Sequence, residues 1–116
     1  VHRLERLAHR LTALIPAAPP AALLHGDIWS GNALFTAQGA YLIDPACYHG
    51  DAEVDLAMLE LFGTPHEAFY AAYGRPQGDW ATRRAVYQLW PALVHLRLFG
   101  PGYMGMVEDR LARLGA

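Results

Sequence analysis

The chain contains no lysine, and all nine of its basic residues are arginines. Chemistry that needs a lysine, as a clamp on phosphates or as an imine-forming amine, cannot be completed by these 116 residues alone. Cysteine is nearly absent. Cys47 stands alone, which excludes an internal disulfide and a cysteine-rich zinc site. No apolar run approaches the roughly 18 residues needed to cross a bilayer. Positive charge is not in excess either: the formal net charge is -2, so nothing draws the chain to nucleic acid. The opening stretch VHRLERLAHRL alternates arginine with leucine and lacks the apolar centre of a signal peptide. The expectation is a cytoplasmic protein with neither a membrane nor a nucleic acid as partner.

What is present is apolar. Hydrophobic residues make up 53% of the chain and charged residues 17%, a balance suited to one packed domain over residues 1–116. Leu4, Leu7, Ala8, Leu11 and Leu14 recur at helical spacing and predict one amphipathic helix over about 2–15, ended by PAAPP. A short strand is expected at 22–24. Runs at 33–36 and 40–44, separated by AQG, read as a hairpin. Residues 45–52 read as a loop and 53–62 as a helix. Thr64-Pro65-His66-Glu67 has the form of a capping box opening a helix that runs to Tyr73. Asp79 can cap a long helix over 80–99, within which Pro91 should cause a kink or a break, and a last helix is expected over 103–114. The fold class is α+β, mostly helical.

The densest chemistry lies in HGDIWSGN, residues 25–32, between the first strand and the hairpin. With the hairpin turn centred on Gln38, Asn32 falls opposite Asp44. Opposed residues of an antiparallel pair point to one face, with α-carbons roughly 4.5–5.5 Å apart. The two side chains would then offer hard oxygens to a divalent cation such as magnesium. A slip of one residue would turn one of them away. Gly26 and Gly31 let the intervening loop curl and bring Asp27 to the same point. One carboxylate would then be free to take a proton from a substrate hydroxyl, while the other two groups hold metal. Phosphoryl transfer needs that division of labour.

His25-Gly26-Asp27, four residues and Asn32 keep the spacing of the protein-kinase catalytic loop, with glycine in place of arginine. Asp44, in IDPA, stands where the metal-binding aspartate of D-F-G would fall. The arrangement resembles the aminoglycoside phosphotransferase and choline kinase branch of the protein-kinase-like fold. The fuller string HGDIWSGNALF…YLIDPACYHGDAEVDLAMLELFG, with YQLWPALVHLRLFGPGY near the end, resembles the fructosamine (ketosamine) 3-kinases. That resemblance implies the C-terminal lobe of a kinase-like fold, with a short β-hairpin carrying the metal site. It implies ATP-dependent phosphorylation of the 3-hydroxyl of a ketosamine, either a small molecule or one linked to a protein. Asp27 is then the catalytic base, and Asn32 and Asp44 are magnesium ligands. His25 braces the loop, Trp29 lines the sugar site, and Asp55 pins the catalytic loop from below.

The chain departs from that pattern in one respect. It has no G-x-G-x-x-G and no lysine, so the N-terminal ATP-binding lobe is expected to be absent from it. The segment is accordingly expected to be inactive alone, with an exposed cleft face prone to self-association. Other readings stay open at this point: an aminoglycoside- or choline-type phosphotransferase lobe, a metal-dependent hydrolase using His25, Asp27 and Asp44, and a non-catalytic helical binding module. The remaining histidines, at 2, 9, 49, 66 and 95, show no metal-ligand spacing.

Overall fold

A computed structural model describes all of residues 1–116. In chain order the elements are α1 (His2–Ala8), α2 (Leu11–Leu14), β1 (Ala21–Leu24), β2 (Ala33–Thr36), β3 (Gly39–Leu42), β4 (Tyr48–Asp51), α3 (Ala52–Leu59), α4 (Glu67–Tyr73), α5 (Trp80–Phe99) and α6 (Met104–Arg113). Single 3-10 turns sit at Ser30–Asn32 and Pro101–Tyr103. The helix-rich α+β class expected from the sequence is the class observed. No helix is long and apolar enough to cross a membrane.

The chain forms two compact units. One comprises residues 1–18 and 78–116. Ala85, Leu89 and Ala92 repeat on one stripe of α5, Val107 and Leu111 on one of α6, and these bury together with Leu7 and Leu114. Gln88 is the polar residue in that stripe, and its Oε1 accepts from Arg110 Nε at 2.8 Å. The single N-terminal helix expected over 2–15 is two helices. At the junction Arg10 N–H bonds to Leu7 O, three residues back, and its guanidinium donates to Leu114 O. Pro91 removes one link of the α5 ladder, yet the helix runs on uninterrupted to Phe99.

The other unit is residues 19–77. It contains two separate antiparallel pairs, β1 with β4 and β2 with β3. Leu24, Leu56, Ala57, Leu61 and Tyr70 form its buried apolar set. The segment expected as a loop, 45–52, holds strand β4, paired Ala21↔Asp51 through Leu24↔Tyr48. Asp51 ends that strand and caps α3, accepting from Glu53 N at 3.0 Å. Helix α4 is capped two residues later than the expected capping box has it, at His66 instead of Thr64. His66 Nδ1, not the Thr64 hydroxyl, accepts the amide of Ala68.

Candidate active site

The loop after β1 is held from one side by a single carboxylate. Asp55 lies on α3, one turn from the cap at Asp51. Its Oδ2 accepts from His25 N at 2.7 Å and its Oδ1 from Gly26 N at 3.1 Å. Two charge-assisted bonds to consecutive amides leave the loop little freedom.

A second clamp comes from residues 43–46. His25 O accepts from Ala46 N at 2.8 Å. A β-carbon at Gly26 would lie 2.0 Å from Ala46 O, and the φ of Gly26 is +86°. Only glycine permits both the close approach and the dihedral. His25 Nε2 bonds to Ile43 O at 2.8 Å, and its Nδ1 bonds to the N–H of Asp27 at 3.2 Å. Both bonds form together only in the neutral imidazole with the proton on Nε2. Neither ring nitrogen is left to ligate a metal, which removes the basis for a hydrolase site using His25.

Asn32 is buried. Its Nδ2 donates to Asp27 O at 2.9 Å and to Asp27 Oδ2 at 3.3 Å, so the two side chains are in direct contact. The backbone N–H of Asn32 closes the turn onto Trp29 O, and its carbonyl accepts from Ile43 N, both at 2.9 Å. Trp29 is 41% exposed, and its ring folds over Gly31.

The hairpin register differs from the expected one. The pairs are Ala33↔Leu42 through Thr36↔Gly39, with Ala37 and Gln38 as a two-residue turn. The Thr36 hydroxyl sets this turn by accepting from Gln38 N and donating to Gly39 O. Asn32 therefore falls opposite Ile43, and the cross-strand argument that placed Asn32 and Asp44 on one face does not hold. Asp44 lies beyond the end of β3, in the left-handed region at φ +50°, the one non-glycine residue there. Its side chain is exposed and carries no hydrogen bond or ion pair within the protein. Its neighbour Ile43 is tied through N–H to Asn32 and through C=O to His25.

The structure thus brings His25, Asp27, Asn32 and Asp55 into one bonded cluster and anchors Asp44 beside it through the backbone. Sequence reasoning missed the parts played by Ile43 and Ala46, which act through backbone atoms and leave no side-chain signature. It also missed the ring-on-glycine contact at Gly31. The close pairing of W and G in WSGN was the available signal.

A carboxylate braced by an amide, on a loop gripped by an aspartate of α3, sits here on a helix-rich α+β fold shared with a solved protein of kinase type. The chain superposes on a candidate fructosamine-3-kinase from Thermobifida fusca with a TM-score of 0.82 and 38% identity, over 97% of this chain and 41% of that one. The fructosamine kinase family profile matches residues 2–115. The chain belongs to the fructosamine kinase family, a family of phosphotransferases. Among curated relatives, "Probable ketoamine kinase slr1563" of Synechocystis is 44% identical over 97 residues, 80% of this chain and 33% of that protein. "Probable ketoamine kinase YniA" of Escherichia coli is 42% identical over 99 residues, 83% of this chain and 35% of that protein. The chain therefore spans roughly a third of the length of these relatives.

Proposed function

We propose that the chain is the C-terminal, catalytic lobe of an ATP-dependent kinase that phosphorylates the 3-hydroxyl of a ketosamine. The observation that carries this reading is the contact of Asn32 with Asp27 on a loop clamped by Asp55. Asn32 engages Asp27 Oδ2, which leaves Oδ1 of the same carboxylate to receive the substrate hydroxyl. As the hydroxyl oxygen bonds to the γ-phosphorus and the bond to ADP breaks, the proton passes to Asp27. Asp55 and His25 act by holding the backbone that delivers Asp27. Trp29 lines the acceptor site.

Magnesium is the cofactor this reading calls for, and Asn32 and Asp44 are the residues that would hold it. Asn32 spends its Nδ2 on Asp27, so its Oδ1 remains as a hard donor, and the Asp44 carboxylate has no competing partner. Magnesium bound there would neutralise charge on the transferring phosphates. Residues 1–116 supply no lysine to grip those phosphates, so an ATP-binding lobe elsewhere in a longer polypeptide completes the site, and the segment alone is inactive.

The test is phosphate transfer from ATP to a fructosamine or ribulosamine by that longer polypeptide. Asp27→Asn should lower kcat by about 100-fold or more with the fold retained, as judged by circular dichroism. Turnover within a few-fold of the unaltered protein would remove Asp27 from the chemistry.

A further inference from the structure

The sequence around Trp29 contains a glycine that the backbone does not need. Gly31 is not among the residues of positive φ, so an alanine could adopt its dihedrals. What an added methyl group would meet is the Trp29 ring. A β-carbon at position 31 would lie 2.3 Å from Trp29 Cη2 and 2.6 Å from both Cζ2 and Cζ3. These are the atoms of the six-membered part of the indole, which therefore lies against the turn with no side chain beneath it. Trp29 itself is extended, at φ -147° and ψ 171°, and its carbonyl receives the Asn32 amide. The ring is thus referenced to the same short turn that orients Asn32 against Asp27. It is also 41% exposed, so the ring keeps a face open to solvent.

We propose that Gly31 is a specificity-determining positioning residue. By lacking a side chain it lets the Trp29 indole lie flat on the Ser30–Asn32 turn, and the outer side of that ring is the platform on which the sugar of the acceptor rests. The inference rests on the ketosamine kinase reading and adds to it the feature that sets where the sugar lies. A sugar offers an apolar C–H face that suits an aromatic surface. With the hydroxyl at Asp27 and the C–H face on Trp29, the acceptor is held at two points two residues apart in the chain. Adding a methyl group at 31 meets only the far end of a side chain, so the ring swings away and the backbone turn remains.

The experiment uses the longer polypeptide and a fructosamine of a small amine. Gly31→Ala should raise KM for the ketosamine roughly 3- to 10-fold, the loss of one aromatic contact. It should leave kcat within about twofold and KM for ATP unchanged. Trp29→Ala should raise the same KM, and Gly31→Ala added to it should cost nothing more, because both act through one ring. An unchanged ketosamine KM in Gly31→Ala, a fall in kcat alone, or full additivity with Trp29→Ala would each overturn the proposal. Labelling the tryptophans of that polypeptide with 5-fluorotryptophan gives a readout independent of turnover. The Trp29 resonance, assigned by Trp29→Phe, should shift on titration with the ketosamine and lose that response in Gly31→Ala. If the unaltered protein transfers no phosphate but this response holds, the kinase reading fails and the role of Gly31 stands. If the resonance is indifferent to the ketosamine, the role of Gly31 fails.

Discussion

Asp44 is where a single residue carries the most information. An L-residue at φ +50° holds a conformation that costs on the order of 1 kcal/mol, and aspartate is among the few that tolerate it. Strain of this kind persists where the surroundings impose it, here through the two bonds of Ile43 to Asn32 and His25. The dihedral also explains why strand alternation fails to predict where this side chain points. We expect Asp44→Gly to be more stable than Asp44→Ala by about 1 kcal/mol, measured by urea denaturation, while both lose turnover. Equal stabilities would mean that the left-handed backbone is not imposed on this residue. The spacing of Asp27 and Asn32 was legible in the sequence because a bonded turn of five residues is a local event. The placement of Asp44 was not, because it depends on where a hairpin turn falls.

At the scale of elements, small polar groups decide where things start. The Thr36 hydroxyl fixes Ala37 and Gln38 as the turn, which shifts every cross-strand partner by one residue from the expected register. His66 displaces Thr64 as the cap of α4. Asp79 caps α5 as its sequence announced, accepting from the amide and hydroxyl of Thr82. Those two bonds, the hydroxyl foremost, hold the Asp79 carboxyl below the usual carboxylate range. Asp109 is lowered likewise, first by its bond to Arg113 and then by Arg110. A carboxyl whose folded value lies below its unfolded value stabilises the fold fully above the unfolded value, about pH 3.9, and loses that contribution as pH falls through the folded value. Stability should therefore be flat in this respect from about pH 5 upward and decline below about pH 4. Asp79→Asn keeps a competent cap, so thermal unfolding from pH 7 to pH 2.5 should show similar stability at neutral pH and a shallower decline in acid. An identical acid slope in the two proteins would show that Asp79 does not contribute to it.

At the scale of the molecule, the chain is two compact units, and the cluster around Asp27 lies wholly within the unit of residues 19–77. The matched residues span roughly a third of the length of the curated relatives. In the longer polypeptide, chelation by EDTA should abolish phosphate transfer and excess magnesium should restore it. Asp44→Ala should need more magnesium for its half-maximal rate, whereas Trp29→Ala should not. A magnesium requirement unchanged by Asp44→Ala would remove that carboxylate from the metal site.

The sequence by itself determined the α+β class, the spans of α5 and α6, the cap at Asp79 and the grouping of Asp27 with Asn32. Each follows from residues within a turn or two of one another, where spacing alone sets geometry. Tertiary structure alone decided that Tyr48–Asp51 is a strand and that Gly26 must pass beneath Ala46 O. These depend on backbone groups distant in the chain finding each other, and every residue's N–H and C=O look alike in a string of side chains.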